Sequence, residues 1–341
     1  MDSSTVRASI VATLCATLAL ASAQVMAAKP GGGGSTDPCA TSATTTLDFP
    51  AFAFWKPSGK TQQIYVADST GKCIRFVANI KSGSGGGGTL QFSLLDSDKT
   101  KGRVVWVEAP EVVGVDFTVA TDTNQISVSP KTTLYSGTGG GISLSKDGHT
   151  LYSTRFLNTG EIVIDKRALD PLGLITTVFQ TATTNEYIDT ISVSGDGMVL
   201  YADYKPTAGV SPVYQLVYVL LPGGSITASS VLDSNGNYRQ PNPAVDQSSL
   251  SYRVAYQRAA TTAGGCDLLV TSSSLDPFTI EYPLRPPAYG MKPTWLNGKI
   301  LADGRVASTR NGCDYTGKIM QTDPATGEQI ALTSGYDPDG R

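Results

Sequence analysis

The stretch Ile142–Tyr152 reads ISLSKDGHTLY, and 49 residues further on Ile191–Tyr201 repeats it almost unchanged as ISVSGDGMVLY. Each copy alternates apolar and polar residues, passes through an Asp-Gly turn and alternates again, which is typical of a β-hairpin. Degenerate copies continue at a similar interval, namely Phe92–Val107, Pro243–Tyr252 and Pro293–Leu301. The chain is therefore built from repeats of one hairpin-bearing unit.

A series of tyrosines keeps the same period as the hairpins. Its members each precede a hairpin strand by a few residues, and they are Tyr135, Tyr187, Tyr238, Tyr289 and Tyr336. A period of about 40–50 residues with four strands per unit is typical of a β-propeller, in which each blade packs against its neighbours. These repeats predict an all-β fold with six four-stranded blades.

Five blades have a complete opening strand, and the sixth is divided between the two ends of the repeat region. The segments Phe52–Trp55, Gln63–Val66 and Ile74–Val77 are predicted to be the later strands of a blade that lacks its own first strand. The C-terminal segment Gly335–Arg341 has the sequence of that missing strand. We therefore expect the two segments to pair and close the ring, which removes exposed sheet edges.

The repeats resemble those of the Tol-translocation (TolB-type) propellers. The likeness lies in the Ser-x-Asp-Gly hairpins, in the Gly-Tyr-Asp at 335–337 and in the stretch IYVADSTGK at Ile64–Lys72. It extends over essentially the whole chain after the N-terminal segment, although the turns near Gln247 and Asn297 have lost their acidic residue. The resemblance implies a six-bladed propeller, but such repeats occur in binding subunits, enzymes and sensor domains, so it implies no single function.

The cysteines predict two disulfide bonds. Apart from Cys15 the sequence contains Cys39, Cys73, Cys266 and Cys313, with no Cys-x-x-Cys pair that would favour a metal site. In the aligned repeats, Cys266 and Cys313 fall between the second and third strands of neighbouring blades. We therefore predict a Cys266–Cys313 bond between those blades, and a Cys39–Cys73 bond that ties the N-terminal segment to its own blade.

The N-terminal segment predicts export. Arg7 precedes an apolar run from Ile10 to Ala23 that is too short to span a bilayer as a helix, and small residues follow in the spacing of a signal-peptidase site. We assign residues 1–27 to a signal peptide, 28–38 to a flexible Gly-rich tether and 39–341 to the propeller. The expected location is periplasmic or extracellular, and no later stretch predicts a transmembrane segment.

Composition excludes several classes of function. The net charge is −3 and no basic patch is visible, which argues against a nucleic-acid partner. His149 is the single histidine and follows an Asp-Gly turn, where we expect it to be exposed. The scarcity of histidine argues against Ser-His-Asp and Cys-His catalysis, and against most transition-metal sites.

One short segment resembles the start of a calcium loop. Oxygen-bearing side chains alternate at Asp233, Asn235 and Asn237, but the acidic residue that ends an EF-hand loop is missing. A polar turn between blades is the favoured interpretation. We therefore predict no cofactor, with calcium as the open alternative.

The mouth of the channel is the predicted binding surface. In propellers the loops that lead into the innermost strands surround one end of the central channel, which places the tyrosine series there. The candidate binding residues are Glu186, Tyr187, Asp189, Tyr238, Arg239, Tyr289 and Lys292. Most of the tyrosine rings are expected to pack between blades, so the charged residues beside them are the better candidates for specificity.

Two functions from different classes remain open. The first is a monomeric, non-enzymatic binding or scaffold protein whose channel mouth recognises a protein, peptide or carbohydrate. The second is a calcium-assisted hydrolase of the lactonase or phosphoesterase type, which needs several converging carboxylates. The carboxylates considered for it are Asp116, Asp189, Asp246 and Asp303.

Overall fold

Six antiparallel sheets follow one another along the chain. The described residues contain β-strands and no helix. The computed structural model describes residues 37–40, 48–80, 89–206, 214–221, 223, 231–233, 238–243, 254–258, 265–272, 282–283, 289–308 and 312–340. Nothing in these ranges forms a helix that is long and apolar enough to cross a bilayer.

Each sheet is one blade, and the strands are numbered along the chain. Blade 1 contains β25 (Tyr336–Gly340), β1 (Phe52–Ser58), β2 (Thr61–Ala67) and β3 (Ile74–Ile80). Blade 2 contains β4 (Leu90–Leu94), β5 (Lys101–Glu108), β6 (Glu111–Ala120) and β7 (Gln125–Val128), with β8 (Thr132–Ser136) also paired to β6. Blade 3 contains β9 (Ile142–Leu144), β10 (Thr150–Phe156), β11 (Ile162–Leu169) and β12 (Leu172–Gln180).

The remaining three blades follow in the same order. Blade 4 contains β13 (Tyr187–Val193), β14 (Val199–Lys205), β15 (Gln215–Leu220) and β16 (Val231–Asp233). Blade 5 contains β17 (Tyr238–Pro243), β18 (Val254–Arg258), β19 (Leu268–Ser272) and β20 (Tyr282–Pro283). Blade 6 contains β21 (Gly290–Leu296), β22 (Lys299–Ser308), β23 (Gly312–Thr322) and β24 (Gln329–Ser334). The prediction of six blades is confirmed, and blade 2 differs from it by its fifth strand.

The ring closes as the sequence predicted. Each innermost strand packs against the innermost strand of the next blade, in the order β25, β4, β9, β13, β17, β21 and back to β25. The C-terminal strand β25 pairs antiparallel with β1, so that Phe52 faces Gly340 and Trp55 faces Tyr336. A β-carbon on Gly340 would lie 2.5 Å from the carbonyl oxygen of Trp295, so this close approach to blade 6 requires glycine.

The hydrophobic core is divided among the interfaces between blades. Six clusters of buried side chains lie at six interfaces, one for each pair of neighbouring blades. Successive side chains of a strand point to opposite faces of the blade, so one strand contributes apolar side chains to two interfaces. In β14, Leu200 and Ala202 pack towards blade 3, whereas Val199 and Tyr201 pack towards blade 5. An isolated blade would therefore expose both of its apolar faces, so the blades depend on the ring.

Polar side chains connect neighbouring innermost strands. The backbone N–H of Phe92 donates to Asp339 Oδ2 at 2.6 Å, and that of Leu144 donates to Gln91 Oε1 at 3.2 Å. The N–H of Val193 donates to Ser143 Oγ at 3.1 Å, and that of Gly340 donates to Thr294 Oγ1 at 3.1 Å. These acceptors occupy equivalent positions in their blades, and they satisfy N–H groups at strand edges that have no further strand to pair with.

Both predicted disulfide bonds are formed. Cys39 is bonded to Cys73 and Cys266 to Cys313, with Cα–Cα distances of 4.6 Å and 4.9 Å. The second bond joins the β18–β19 connection of blade 5 to the start of β23 in blade 6. Blades 5 and 6 are therefore linked covalently beside the closing blade.

Replacing Asp339 with alanine tests the contribution of the closing contact. Asp339 is 3 % exposed, and its loss leaves the N–H of Phe92 buried without its acceptor. We expect the free energy of unfolding, measured by urea denaturation, to fall by about 1–3 kcal/mol. Replacement of the exposed Asp98 with alanine is the control, and an equal effect of the two changes would contradict this role of Asp339.

Removing the Cys266–Cys313 disulfide bond between blades 5 and 6 tests how much this bond stabilises the closed ring. We expect the Cys266→Ser/Cys313→Ser double variant to lose at most about 4 kcal/mol, because a loop that the bond closes becomes free in the unfolded chain. Thermal unfolding followed by circular dichroism measures the loss. An unchanged midpoint would show that the non-covalent contacts between blades 5 and 6 suffice.

Candidate functional site

The innermost strands of four blades carry a β-bulge near their first residues. The pairing with the second strand is interrupted at Asp189–Thr190 in blade 4, Gln240–Pro241 in blade 5, Lys292–Pro293 in blade 6 and Asp337–Pro338 in blade 1. In blade 4 the carboxylate of Asp203 accepts the freed N–H groups of Asp189 and Thr190 at 3.2 and 2.6 Å. Bulges of this kind redirect side chains, and here they do so at one end of the channel.

A small cavity of about 50 Å³, which opens to solvent, lies where these bulges meet. Five innermost strands line it, those of blades 1, 2, 4, 5 and 6. Most lining side chains are neutral hydrogen-bonding groups or prolines, and Lys292, Asp337 and Asp339 are the charged ones. The lining residues are Thr89, Leu90, Gln91, Thr190, Ile191, Ser192, Pro241, Asn242, Lys292, Pro293, Thr294, Asp337, Pro338 and Asp339.

Lys292 is held at the mouth by an ion pair with the C-terminal strand. Its Nζ lies 2.9 Å from Asp337 Oδ2, and the two side chains are 22 % and 7 % exposed. Both residues have a backbone φ of 52°, a left-handed conformation that is uncommon for residues other than glycine. Burial alone would lower the pKa of Lys292, but the adjacent Asp337 outweighs it and the pKa lies above its ordinary value.

Asp303 is a second buried carboxyl group beside this pair. Its Oδ1 accepts a short hydrogen bond from the backbone N–H of Asp337. Burial, together with repulsion from the Asp337 carboxylate, raises the pKa of Asp303 to about 7. Lys292 is thus the cation near two carboxyl groups, those of Asp303 and Asp337. Asp303 is protonated over part of the physiological pH range.

Aromatic side chains and an arginine form a group on blades 1 and 6, outside the residues that line the cavity. We call Trp55, Tyr315, Tyr336 and Arg305 the rim cluster. The Trp55 and Tyr336 rings are stacked at 4.9 Å, and the Tyr315 ring meets Tyr336 edge-on at 6.1 Å. The Arg305 guanidinium lies over the Tyr315 ring at 3.1 Å and also contacts the sulfur of Met291.

A second aromatic group lies between blades 3 and 4, opposite the first in a ring of six blades. Phe156, Tyr187 and Tyr214 form this opposite cluster, with ring centroids 5.9 Å and 6.4 Å apart. Phe156 is 48 % exposed, whereas Tyr187 is half-buried and packs against the interface between the blades. Two aromatic groups therefore border the mouth on opposite sides.

The structure brings together some of the predicted binding residues. Lys292 lines the cavity, and Asp189 begins the blade 4 bulge. Glu186 accepts hydrogen bonds from the Tyr204 hydroxyl at 2.6 Å and from the Thr183 N–H at 3.0 Å. Tyr289 is half-buried and forms an isolated β-bridge with Leu268.

Two further candidates have side chains outside the described residues, and one tyrosine of the periodic series lies away from the mouth. Tyr238 and Arg239 begin β17, but their side chains fall outside the description. Tyr135 is in β8, is 2 % exposed, and donates its hydroxyl proton to Asp165 at 2.5 Å within the interface between blades 2 and 3. This tyrosine therefore belongs to the framework and not to the mouth.

The carboxylates considered for a metal are dispersed where they can be located. Asp116 pairs with Arg103, with Oδ1 and Nε 2.6 Å apart, on β6 and β5 of blade 2. Asp233 ends β16, and Asn235, Asn237 and Asp246 lie outside the described residues. Within the described ranges, no three His, Cys, Asp or Glu side chains are placed to share a metal ion. His149 is 47 % exposed and its Nδ1 lies 2.8 Å from Asp170 Oδ2.

Comparison with solved structures places this architecture among known propellers. TolB from Acinetobacter baumannii aligns over 86 % of this chain and 67 % of its own, with 13 % identity and a TM-score of 0.56. The fold is that of a TolB-like propeller. A provisionally named TolB from Agrobacterium tumefaciens aligns over 84 % of this chain and 83 % of its own, with 13 % identity and a TM-score of 0.39.

The chain was also compared with other solved structures and with known families. An oligogalacturonate lyase in complex with manganese aligns over 80 % of this chain and 71 % of its own, with 10 % identity and a TM-score of 0.46. No protein-family model matches the sequence, and a comparison with curated proteins found no match either. At 13 % identity, the alignment with TolB from Acinetobacter baumannii shows a shared fold and leaves the function of the TolB-like propeller to its own residues.

Sequence reasoning missed several residues at this mouth. The sequence indicates Asp337 as part of the closing strand and not as a site residue, although Asp337-Pro338 and Lys292-Pro293 occupy equivalent positions near the start of two innermost strands. That shared X-Pro pattern is the signal that could have identified it. Arg305 and Tyr315 are in the second and third strands of blade 6 and carry no periodic signal, because other blades have unrelated residues there.

Replacing Asp303 with asparagine tests the electrostatics of the buried pair. The folded state raises the pKa of Asp303 to about 7, so it binds the proton more tightly than the unfolded chain does. Stability contributed by this group is present below the unfolded pKa, near 4, and is lost as the pH rises to about 7. Asparagine keeps the acceptor for the Asp337 N–H and removes the charge.

We therefore expect Asp303→Asn to gain stability over the wild type between about pH 4 and pH 7, and the gain to level off above that range. Urea unfolding at a series of pH values measures it. The exposed Asp98→Asn variant, whose difference from the wild type should vary little with pH, is the control. A constant difference for Asp303→Asn would contradict the assigned pKa.

Proposed function

We propose that this protein is an exported, non-enzymatic binding protein that recognises a partner at the mouth of the propeller channel. The observation that carries the proposal is the open cavity at the bulges, lined mainly by hydroxyl, amide and proline side chains, with aromatic clusters on blades 1 and 6 and on blades 3 and 4. Tyrosine, tryptophan and arginine are the side chains that contribute most to recognition surfaces.

The charges at the mouth fit recognition better than catalysis. Lys292 and Asp337 neutralise one another, and both carboxylate oxygens of Asp339 accept hydrogen bonds from neighbouring blades. These groups hold innermost strands together, so using them to transfer protons would disturb the ring. They serve as a rigid, nearly neutral floor for a bound ligand.

Location outside the cytoplasm is part of the proposal. Disulfide bonds persist in oxidising compartments, and the two bonds of the propeller therefore favour a periplasmic or extracellular protein. The apolar run at Ile10–Ala23 supplies the expected export signal.

Parallel peptide and glycan arrays test the proposed function. The full-length mature protein is labelled and applied as the wild type, as a mouth double variant (Phe156→Ala/Tyr315→Ala) and as a control variant, Met198→Ala. Met198 is 54 % exposed in the Asp196-Gly197 hairpin, at the opposite end of its blade, and is matched to the mouth residues in exposure and apolar character.

We expect the wild type and Met198→Ala to bind the same set of probes, and the mouth variant to lose most of that binding with its thermal midpoint unchanged. Binding that survives in the mouth variant and fails in Met198→Ala would place recognition at the other end of the channel. Calcium-dependent hydrolysis of a lactone or phosphoester, lost in Asp303→Asn, would favour the hydrolase instead.

A further inference from the structure

Arg305 is a cation beside the mouth whose guanidinium forms no ion pair with any residue in the described ranges. Its guanidinium contacts the Tyr315 ring and the Met291 sulfur, and neither is an anion. Lys292, in contrast, is paired with Asp337. A guanidinium carries five N–H donors in a planar fork, and contacts with a ring face and a sulfur leave most of them available.

The surroundings of Arg305 fix its position while leaving it exposed to the mouth. Tyr315 is 53 % exposed and lies directly opposite Arg305 in the β22–β23 pairing. Stacking on this ring orients the guanidinium plane before any ligand arrives, which reduces the entropy lost when it binds. The Cys266–Cys313 bond holds the start of β23 close to this pair.

The sum of charges around Arg305 leaves one positive charge uncompensated. Three strands of blade 6 and the closing strand contribute these charged or titratable groups: Lys292, Asp303, Arg305, Asp314, Tyr315, Lys318, Tyr336 and Asp337. Asp314 and Lys318, both on β23, carry opposite charges and add nothing to the sum. Lys292 and Asp337 cancel, and Asp303 is neutral where its pKa, raised to about 7, keeps it protonated. The N–H groups of Arg305 that remain available therefore suit a ligand with negatively charged oxygen atoms. A carboxylate can accept two parallel hydrogen bonds from one guanidinium.

The arrangement of the rings favours a peptide over a sugar as the carrier of that carboxylate. A sugar ring needs an open aromatic face, but in the rim cluster Trp55 and Tyr336 cover one another, and Arg305 covers a face of Tyr315. Ring edges and the hydroxyl groups remain for contact. Such edges, together with the neutral hydrogen-bonding lining of the cavity, suit the backbone and side chains of an extended peptide.

We propose that Arg305 binds a carboxylate group of an acidic peptide that docks at the mouth of the channel. The proposal rests on the function proposed above and names the chemistry of its ligand. The carboxylate is either an Asp or Glu side chain or the C-terminal carboxylate of the peptide. A side-chain carboxylate and a C-terminal carboxylate present the same two oxygen atoms to the guanidinium. Amidation of the C-terminus distinguishes them, because it removes only the C-terminal carboxylate.

An array of short random peptides, each present with a free and with an amidated C-terminus, tests the proposal. We expect the peptides that the wild type binds to be enriched in Asp and Glu, or in free C-termini, relative to the whole array. In solution, fluorescence anisotropy should then show that Arg305→Gln weakens the best acidic peptide by at least about tenfold. A neutral version of that peptide, in which Asn, Gln or a C-terminal amide replaces the carboxylate, should bind the wild type and Arg305→Gln with equal affinity.

Two further variants separate charge from packing. Arg305→Lys keeps the charge without the planar fork and should give an intermediate affinity, whereas Lys146→Gln at the opposite end of blade 3 should have no effect. Binding of the acidic peptide should also weaken between about pH 6 and pH 8, as Asp303 ionises near Arg305, and this dependence should vanish in Asp303→Asn.

Several results would overturn the proposal, and they distinguish it from the broader function. Peptide binding without a preference for carboxylates, or with a preference that survives in Arg305→Gln, would refute the role of Arg305 and leave the binding function standing. Binding of glycans but not of peptides would refute the peptide ligand alone. Binding of neither class would refute both proposals.

Discussion

The carboxylate of Asp339 accepts the backbone N–H of Phe92, and this contact joins the last strand of the chain to the first complete blade. The innermost strand of every blade has an edge that no further strand covers, so its N–H groups need other acceptors. Gln91, Ser143 and Thr294 likewise accept a backbone N–H from the innermost strand of the neighbouring blade. Closure is thus one instance of a contact that recurs around the ring.

Closure matters because the core exists only between blades. Leu200 and Val199 are neighbours in the chain, yet they pack in different clusters that belong to different interfaces. A gap at blade 1 would expose the apolar faces on both of its sides, including Phe52, Phe54 and Phe92. The Cys266–Cys313 bond and the pairing of β25 with β1 both act near that point, where an open ring would have its ends.

The same closing strand shapes the candidate site. Asp337 pairs with Lys292 and donates its N–H to Asp303, so the residues that complete blade 1 also form the floor of the mouth. Tyr336 lies between Trp55 and Tyr315 and connects the floor to the rim cluster. Stability of the ring and recognition at the mouth therefore draw on adjacent residues of one short strand, which places the rim on a rigid support.

Much of the architecture could be predicted because it repeats. The ISLSKDGHTLY hairpin and the tyrosine period indicated six blades, and their phase indicated which strand the C-terminus supplies and which cysteines are neighbours. These are properties of local alternation and of spacing along the chain, which a sequence displays directly. Lys292, one of the predicted binding residues, lines the cavity, and Tyr135 packs between blades 2 and 3, as expected for most rings of the tyrosine series.

Tertiary structure alone decided which side chains meet. The bulges at Lys292–Pro293 and Asp337–Pro338 interrupt the two-residue alternation, so the pattern no longer tells which residue faces the channel. Arg305 and Tyr315 are paired across two strands of one blade, while Asp303 and Asp337 come from different blades. Their proximity, and the raised pKa of Asp303 that follows from it, arise from the packing of blade against blade, which no periodicity in the sequence encodes.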